Sequence, residues 1–506
     1  MTSLQLTSPS WMIIPVILPL IAGLLSFLLN RGIFAIALTA ALANLLAVSI
    51  LTCQLLSYGP MRCHMGGWQP PLGITLRTDG PALLMLLMTA VTGLAITLYA
   101  RGYFSYRILD PKRASQHQHQ QRYFWPLWLL LLAGLNGLFL SSDIFNLYVT
   151  LELIAIAAAS LAALSGKPAS QLASFRYLLV NLLGSITFLL GVVFLYKSCR
   201  VLDLDLLHNV PMNKPGISAA LALMSVGLLL KTALVPLHFW LPPAHANALA
   251  PVSIILSALV VKGSFYLLFR LWFEVFAQLI TTPALNVMGT LGAVAILWGA
   301  IQAMRQHRLK LMIAYSTVSQ LGYLFIAFPL ARIDGSTQVW SIVIFMAMAH
   351  ACAKSAMFMV AGTVFLHLGH DRINDLTGIR ANLPITVLAY GIAGVSLMGL
   401  PPSGGFIAKW LLLSSALASS QWWWALVVII GSLLAMTYVF RVMSRFFVIP
   451  EGYTSAKSTP PSPLLEWPAL VLAMISLFLG LAASWPLYIL STGNPALAQV
   501  FSGGLP

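Results

Sequence analysis

The chain has 506 residues, of which 59% are hydrophobic and 8% charged, and its mean hydropathy is +0.90. That composition excludes a soluble domain and indicates an all-α polytopic membrane protein. The net charge of +15 therefore has to be placed by topology before it is read as a binding surface. It marks orientation and attraction to the membrane surface, not nucleic acid.

Hydropathy predicts about fourteen transmembrane helices, starting near residues 11, 33, 81, 124, 143, 173, 217, 248, 284, 309, 338, 384, 421 and 465. The first apolar run, Trp11 to Leu29, has no basic segment before it and no small-residue cleavage site, so no cleaved leader is expected. With the N-terminus outside, the inside loops hold sixteen Lys and Arg. The outside loops hold seven: Arg62, Arg77, Lys197, Arg200, Lys214, Arg270 and Arg332. The positive-inside rule then places both termini outside, and the uncharged tails 1–10 and 492–506 agree.

The other four of the 27 cations, Lys231, Lys262, Lys354 and Lys409, fall inside spans. Glu152 is the one clear mid-span acid, and Glu466 lies at the mouth of the last span. One acid cannot pair four lysines. Burial favours the neutral form of lysine and a neighbouring carboxylate favours the charged form, so a chain of such groups can pass protons.

Spans one and two are plain apolar helices. Residues 66–79 form an outside loop with two turn-forming prolines, Pro70 and Pro71. Cys53, Cys63, Cys199 and Cys352 make no C-x-x-C pair, so neither an iron–sulfur nor a zinc site is expected. Two lone thiols are preferred over an outside Cys63–Cys199 disulfide. His117 and His119 read as part of a solvated inside loop, in preference to a metal site.

Residues 141–152 are Ser-Ser-Asp-Ile-Phe-Asn-Leu-Tyr-Val-Thr-Leu-Glu. Helical rise puts Glu152 about 13 Å beyond Asp143, close to mid-bilayer. A bare carboxylate is costly there, so it needs a cation or a proton. It either pins two helices together or biases the charge of a nearby lysine.

Gly-Gly-Trp-x-x-Pro-x-Gly-Ile at 66–74 and Phe-Asn-Leu-Tyr-Val-x-x-Glu at 145–152 carry a resemblance. The chain resembles, over nearly its whole length, the antiporter-like membrane subunits shared by Mrp-type cation/proton antiporters and respiratory complex I. It looks most like the D-type subunit of the Mrp Na⁺/H⁺ antiporters.

Span seven reads Leu-Leu-Lys231-Thr-Ala-Leu-Val-Pro236-Leu-His238-Phe-Trp-Leu-Pro242-Pro243-Ala-His245. Pro236 removes a helix hydrogen bond and clashes with the preceding turn, so the helix should break beside Lys231. Broken helices at membrane depth free carbonyls that hold water or ions. The plain alternative is a kinked packing helix, but Lys231 is not at a span end where it could snorkel. The resemblance makes Lys231 the partner of Glu152 and His245 the family histidine after the break. The family has an acid where Pro243 stands and a proline near Leu249, so the proton-uptake funnel departs from its pattern here. In span eight, Ser253 and Ser257 share a face near Lys262, and the resemblance makes Lys262 the next relay lysine.

Residues 305–323 match the family's Asp-x-Lys…Ala-Tyr-Ser segment, with Arg308 in place of the Asp. His350 and Lys354 are four apart on span eleven, and the resemblance makes His350 a central relay, against a satisfied core histidine. At 399–410, Pro401, Pro402, Gly404 and Gly405 cannot propagate a regular helix, and Lys409 follows on the helical side. Trp422, Trp423 and Trp424 read as an interface belt.

The resemblance implies an N-terminal three-helix segment (1–123), two inverted five-helix repeats (spans four to eight, 124–271; spans nine to thirteen, 284–444) broken at spans seven and twelve, and a C-terminal span (465–506). The absence of a lateral helix marks a D-like rather than an A-like subunit. It implies a proton relay through Glu152, Lys231, His245, Lys262, His350, Lys354 and Lys409 in the bacterial cytoplasmic (inner) membrane, coupled to Na⁺ export by partner subunits. Two alternatives stand beside it. One is a proton-pumping membrane subunit of an NADH:quinone oxidoreductase, membrane hydrogenase or carbon-uptake complex. The other is a structural scaffold. No nicotinamide, flavin or metal site is expected.

Overall fold

The structure, a computed structural model, describes residues 9–29, 31–108, 114–331, 336–449 and 462–492. Of the features read from sequence, the tails 1–8 and 493–506 and the loop cations Lys112, Arg113, Arg332 and Lys457 lie outside those residues.

Thirteen of the described helices are long and apolar enough to cross a membrane. They are Trp11–Leu28, Ile33–Tyr58, Gly80–Arg107, Ala114–Leu140, Ile144–Ala163, Pro168–Cys199, Ile217–Asn247, Ala250–Val275, Thr282–Arg305, Leu309–Leu330, Val339–Leu368, Trp422–Phe447 and Pro463–Leu481. A further span, twelfth in chain order, is made of two shorter helices, Pro384–Met398 and Gly404–Ala418. Helices satisfy every backbone group within themselves, and that is the condition for crossing a bilayer.

Successive links fall on alternate faces. On one face a hairpin pairs Met61–His64 with Thr75–Thr78, Leu76 bridges to Ser141, and Asp143 bridges to Asp203. On the opposite face Arg308 bridges to Arg372. Spans eight and eleven are buried along their most apolar stretches and span ten nearly so; these three form the centre. Spans one, two, six, thirteen and fourteen lie outside them and present Leu24, Leu46, Leu183, Leu433 and Leu481 outward.

Lipid tails give helices no hydrophobic reason to associate, so close contact relies on small residues. Spans six and seven meet at Gly184 and Gly227, where a Cβ on Gly227 would lie 2.4 Å from the Gly184 carbonyl oxygen. The same approach lays the Lys231 stem against Gly184.

Several sequence expectations are corrected. His117 is not in a solvated loop. The fourth span begins at Ala114, and His117 is buried with Nδ1 2.6 Å from the Arg107 carbonyl oxygen and Nε2 3.0 Å from Arg107 Nη2. Gly404 and Gly405 do not form the break of span twelve but open its second helix. They are small because a Cβ on Gly405 would lie 1.8 Å from the Ser396 carbonyl oxygen. Trp424 is buried, unlike the exposed Trp422 and Trp423, and donates to Gln421. Cys63 and Cys199, by contrast, are free thiols, in line with the reading preferred from the sequence.

Arg270, placed in a loop by hydropathy, lies inside span eight and anchors an ion cluster on the hairpin face. Its guanidinium donates to Asp79, Glu274 and Tyr266. Arg77 of the hairpin donates to Asp79 (2.7 Å), Asp205 (2.9 Å) and Glu274 (2.9 Å). Burial opposes the charge of Arg77, but Asp79, Glu274 and Asp205 hold its guanidinium above the ordinary range. Arg62 meets Asp205 from a side chain 58% exposed.

Arg77→Met leaves three partly buried acids short of a partner and is expected to cost about 3 kcal/mol. Arg62→Met is expected to cost less than about 1 kcal/mol. Thermal unfolding of the purified chain measures both, and equal shifts would contradict the cluster's role as the clamp of this face.

Candidate functional site

Span five is started by Asp143, whose carboxylate accepts from the Asn146 amide at 2.7 Å. That start sets the face on which Glu152 emerges, toward spans six and seven. Lys231 Nζ lies 3.3 Å from Glu152 Oε1, and Ser185 of span six donates to the same oxygen. Lys231 is buried, while the Glu152 side chain is 22% exposed. The expected pair is therefore formed, with a serine as its third member.

The first helix of span seven stops at Thr232, one residue beyond Lys231. Ala233 takes a left-handed conformation (φ +59°), rare for a residue with a Cβ, and a short 3₁₀ turn at Leu237–Trp240 leads into Leu241–Asn247. Trp240 Nε1 donates to the Leu230 carbonyl oxygen at 3.0 Å, filling one carbonyl that the break leaves open. Pro242 and Pro243 sit in the first turn of the second helix, where a missing amide costs nothing. Thr232 donates to Ser264 of span eight at 3.1 Å, which carries the polar surroundings of Lys231 toward Lys262.

Span eight is not a regular helix. It makes a π-turn over Leu256–Val260, and Lys262 Nζ donates to the Ser257 carbonyl at that turn. The Ser257 hydroxyl meets Thr317 Oγ1 of span ten at 2.9 Å. On the adjacent residue, Ser316 Oγ receives a hydrogen bond from Lys354 Nζ, which also donates to the Ile313 carbonyl oxygen at 3.1 Å.

Lys409 completes the set. Its Nζ donates to the carbonyls of Leu397 (2.8 Å) and Met398 (3.2 Å), at the open end of the first helix of span twelve. Gly399 turns left-handed there (φ +79°), and its missing Cβ leaves room for the Lys409 stem. The Lys409 ammonium also lies 4.6 Å over the Tyr323 ring. Gln320 Nε2 donates to the same Leu397 carbonyl at 3.3 Å.

Span ten thus touches three of the four lysines or their anchors. Ile313, Ser316, Thr317, Gln320 and Tyr323 recur at helical spacing along one face of the helix. Gln320 and Tyr323 were missed as functional candidates, although this spacing could have found them.

His245 and His350 are fully buried, and among the described residues neither ring nitrogen of either has a hydrogen-bond partner. His245 stacks on Phe358 of span eleven at 4.9 Å, and Ser253 donates to its carbonyl oxygen. A buried polar group without a protein partner is costly. Arg308, where an acid was expected, pairs instead with Asp371 at 2.9 Å across the opposite face.

The protein family described as NADH:quinone oxidoreductase/Mrp antiporter, TM, matches residues 141–435. The chain is 35% identical to the N-type subunit of the NADH-quinone oxidoreductase of Desulforudis audaxviator, over 92% of each chain. It is 27% identical to the D-type subunit of the Na⁺/H⁺ antiporter of Bacillus subtilis, over 94% of each. Among solved structures, a chain of the Mrp complex from Dietzia sp. superposes with a TM-score of 0.85 at 24% identity, covering 97% of this chain and 99% of that one. A chain of the archaeal membrane-bound sulfane sulfur reductase gives 0.84 at 26% identity, covering 97% and 98%.

If Glu152 and Lys231 act as one unit, their losses should not add. Glu152→Gln and Lys231→Ala should each cut proton flux in vesicles of the assembled complex at least tenfold, and the double variant should be no worse than the poorer single one. Full flux in Glu152→Gln would sink the pair as a working unit.

Proposed function

The chain belongs to the NADH:quinone oxidoreductase/Mrp antiporter transmembrane family, and from that premise we propose that it moves protons through the membrane along a buried Glu/Lys/His axis, as one subunit of a larger membrane complex. The observation that carries this reading is the holding of Lys262, Lys354 and Lys409. Three buried lysines stand on neighbouring helices, and among the described residues none has a carboxylate partner. Each is held by carbonyl or hydroxyl oxygens. Oxygens that stabilise an ammonium without fixing its charge leave it free to give the proton up.

The steps follow from that chemistry. Glu152 holds a proton on Lys231. When the pair loosens, the proton passes by Thr232, Ser264 and water toward Lys262, with His245 alongside. Ser257, Thr317 and Ser316 lead it to Lys354, with His350 beside them. Gln320 and the Leu397 carbonyl lead on to Lys409, and the break in span twelve opens the way out. Two like charges about 8 Å apart repel by about 2 kcal/mol at an effective dielectric of 20. Charging one lysine therefore biases its neighbour, and transfer can be coupled to an event elsewhere.

Helices broken at the fourth span of each half support a division into inverted repeats, spans four to eight and nine to thirteen. The cation bias supports a hairpin face that is outside, together with both termini. The coupled event is Na⁺ export in an Mrp-type complex, on the likeness to the D-type antiporter subunit. The higher identity to an N-type oxidoreductase subunit supports a second reading, in which electron transfer in partner subunits drives the protons.

Lys409→Arg separates a relay from a scaffold. Arginine keeps the charge and a similar stem but holds its proton at any physiological pH. The relay predicts normal assembly on native gels with proton flux lost. Flux near wild type in the arginine variant would remove Lys409 from the path.

A further inference from the structure

A cavity of about 560 Å³ lies on the face opposite the hairpin. Arg107 at the end of span three, Lys167 at the start of span six, and Arg308 and Lys310 at the start of span ten line it, with one acid, Asp371. Asp371 is already engaged: it takes Arg308 Nε at 2.9 Å and the Lys310 amide at 3.4 Å. Arg107 leans on the Tyr103 ring at 5.4 Å and on His117, and its Nη1 is buried with no hydrogen-bond partner. Among the described residues Lys310 Nζ donates only to the Ala248 carbonyl oxygen, and the Lys167 side chain is exposed.

Cations from three separate segments thus converge on one cavity whose single carboxylate among the described residues is already occupied. Like charges held together gain from a shared anion, and phosphate offers several acceptors to Arg and Lys at once. The rest of the wall says where that phosphate comes from. Ala361, Gly362, Phe365 and Leu366, the last turns of span eleven, form an apolar flank, and Phe365 is 39% exposed. A free phosphate has no use for that flank, whereas a lipid acyl chain does. Basic pockets between transmembrane helices are the setting in which anionic headgroups bind.

We propose that this cavity is a binding site for the phosphate of an anionic phospholipid headgroup, with Arg107, Lys167 and Lys310 around the phosphate and the acyl chain along Phe365. Through Lys310 and the Ala248 carbonyl, a lipid docked there ties the start of span ten to the link that follows His245. The site stands whether or not the lysine relay does, because none of its tested residues belongs to that relay.

The test is native mass spectrometry of the delipidated full chain, titrated separately with dioleoylphosphatidylglycerol, dioleoylphosphatidylcholine and inorganic phosphate. The phosphatidylglycerol is expected to be retained and the phosphatidylcholine to be lost, with inorganic phosphate bound far more weakly. Removing one cation should weaken phosphatidylglycerol about fivefold. Lys167→Gln changes an exposed side chain and preserves the fold, and Lys167→Gln with Arg107→Gln should lose about 25-fold. Equal retention of the two lipids, or unchanged phosphatidylglycerol binding in the double variant, would overturn the site. Inorganic phosphate binding as tightly as the lipid would overturn the lipid as its source.

Discussion

Everything central in this molecule follows from placing lysine ammonium groups where almost no carboxylate is available. A charged side chain at mid-membrane costs about 3 kcal/mol, and three such groups would together rival the whole net stability of a domain, about 5–15 kcal/mol. The chain meets that cost with its own backbone. Regular helices use up their carbonyls, so each lysine sits beside an open end, a distortion or a hydroxyl. Lys409 takes the carbonyls left open by the break in span twelve. Lys262 takes one at the π-turn of span eight. Lys354 takes Ile313, backed by the Ser316 hydroxyl. Among the described residues only Lys231 has an acid, and it stands beside the other broken helix. Irregular backbone at membrane depth is tolerated where protein or water satisfies it, and here it supplies the lysines' oxygens.

The two faces treat charge differently. On the hairpin face, Arg62, Arg77 and Arg270 are matched by Asp79, Asp205 and Glu274, and the links are fastened to one another. On the opposite face the cations outnumber the acid and line an open cavity. Between them the central helices carry the lysines and the polar seam of span ten. The hairpin side is fastened by ion pairs, and the opposite side gathers several cations around a cavity.

Much of this was legible in the sequence, for physical reasons that differ by element. Long apolar runs and the absence of charge disclosed the spans. Pro236 and Pro401–Pro402 disclosed the breaks, because proline acts on its own neighbours. Buried lysines stood out because they are expensive. Interactions between distant segments were not legible. Arg77 meets Glu274 across 197 residues and Asp205 across 128, and no local pattern announces such a pairing. Arg270 looked like a loop cation because hydropathy cannot see its partners. The π-turn at Leu256–Val260 left no residue signature, since ordinary helix formers build it. Gly404 and Gly405 looked like breakers, but packing against Ser396 and Leu479 decided their role.

The central claim is that the buried lysines and histidines form one hydrated line, not isolated packing residues. The most direct measurement is a cryo-electron microscopy map of the assembled complex at a resolution that shows ordered water. The account predicts water density within hydrogen-bond reach of the ring nitrogens of His245 and His350, continuing between Lys231, Lys262, Lys354 and Lys409 along the polar face of span ten. A dry, closely packed interior between any two neighbouring lysines would contradict it.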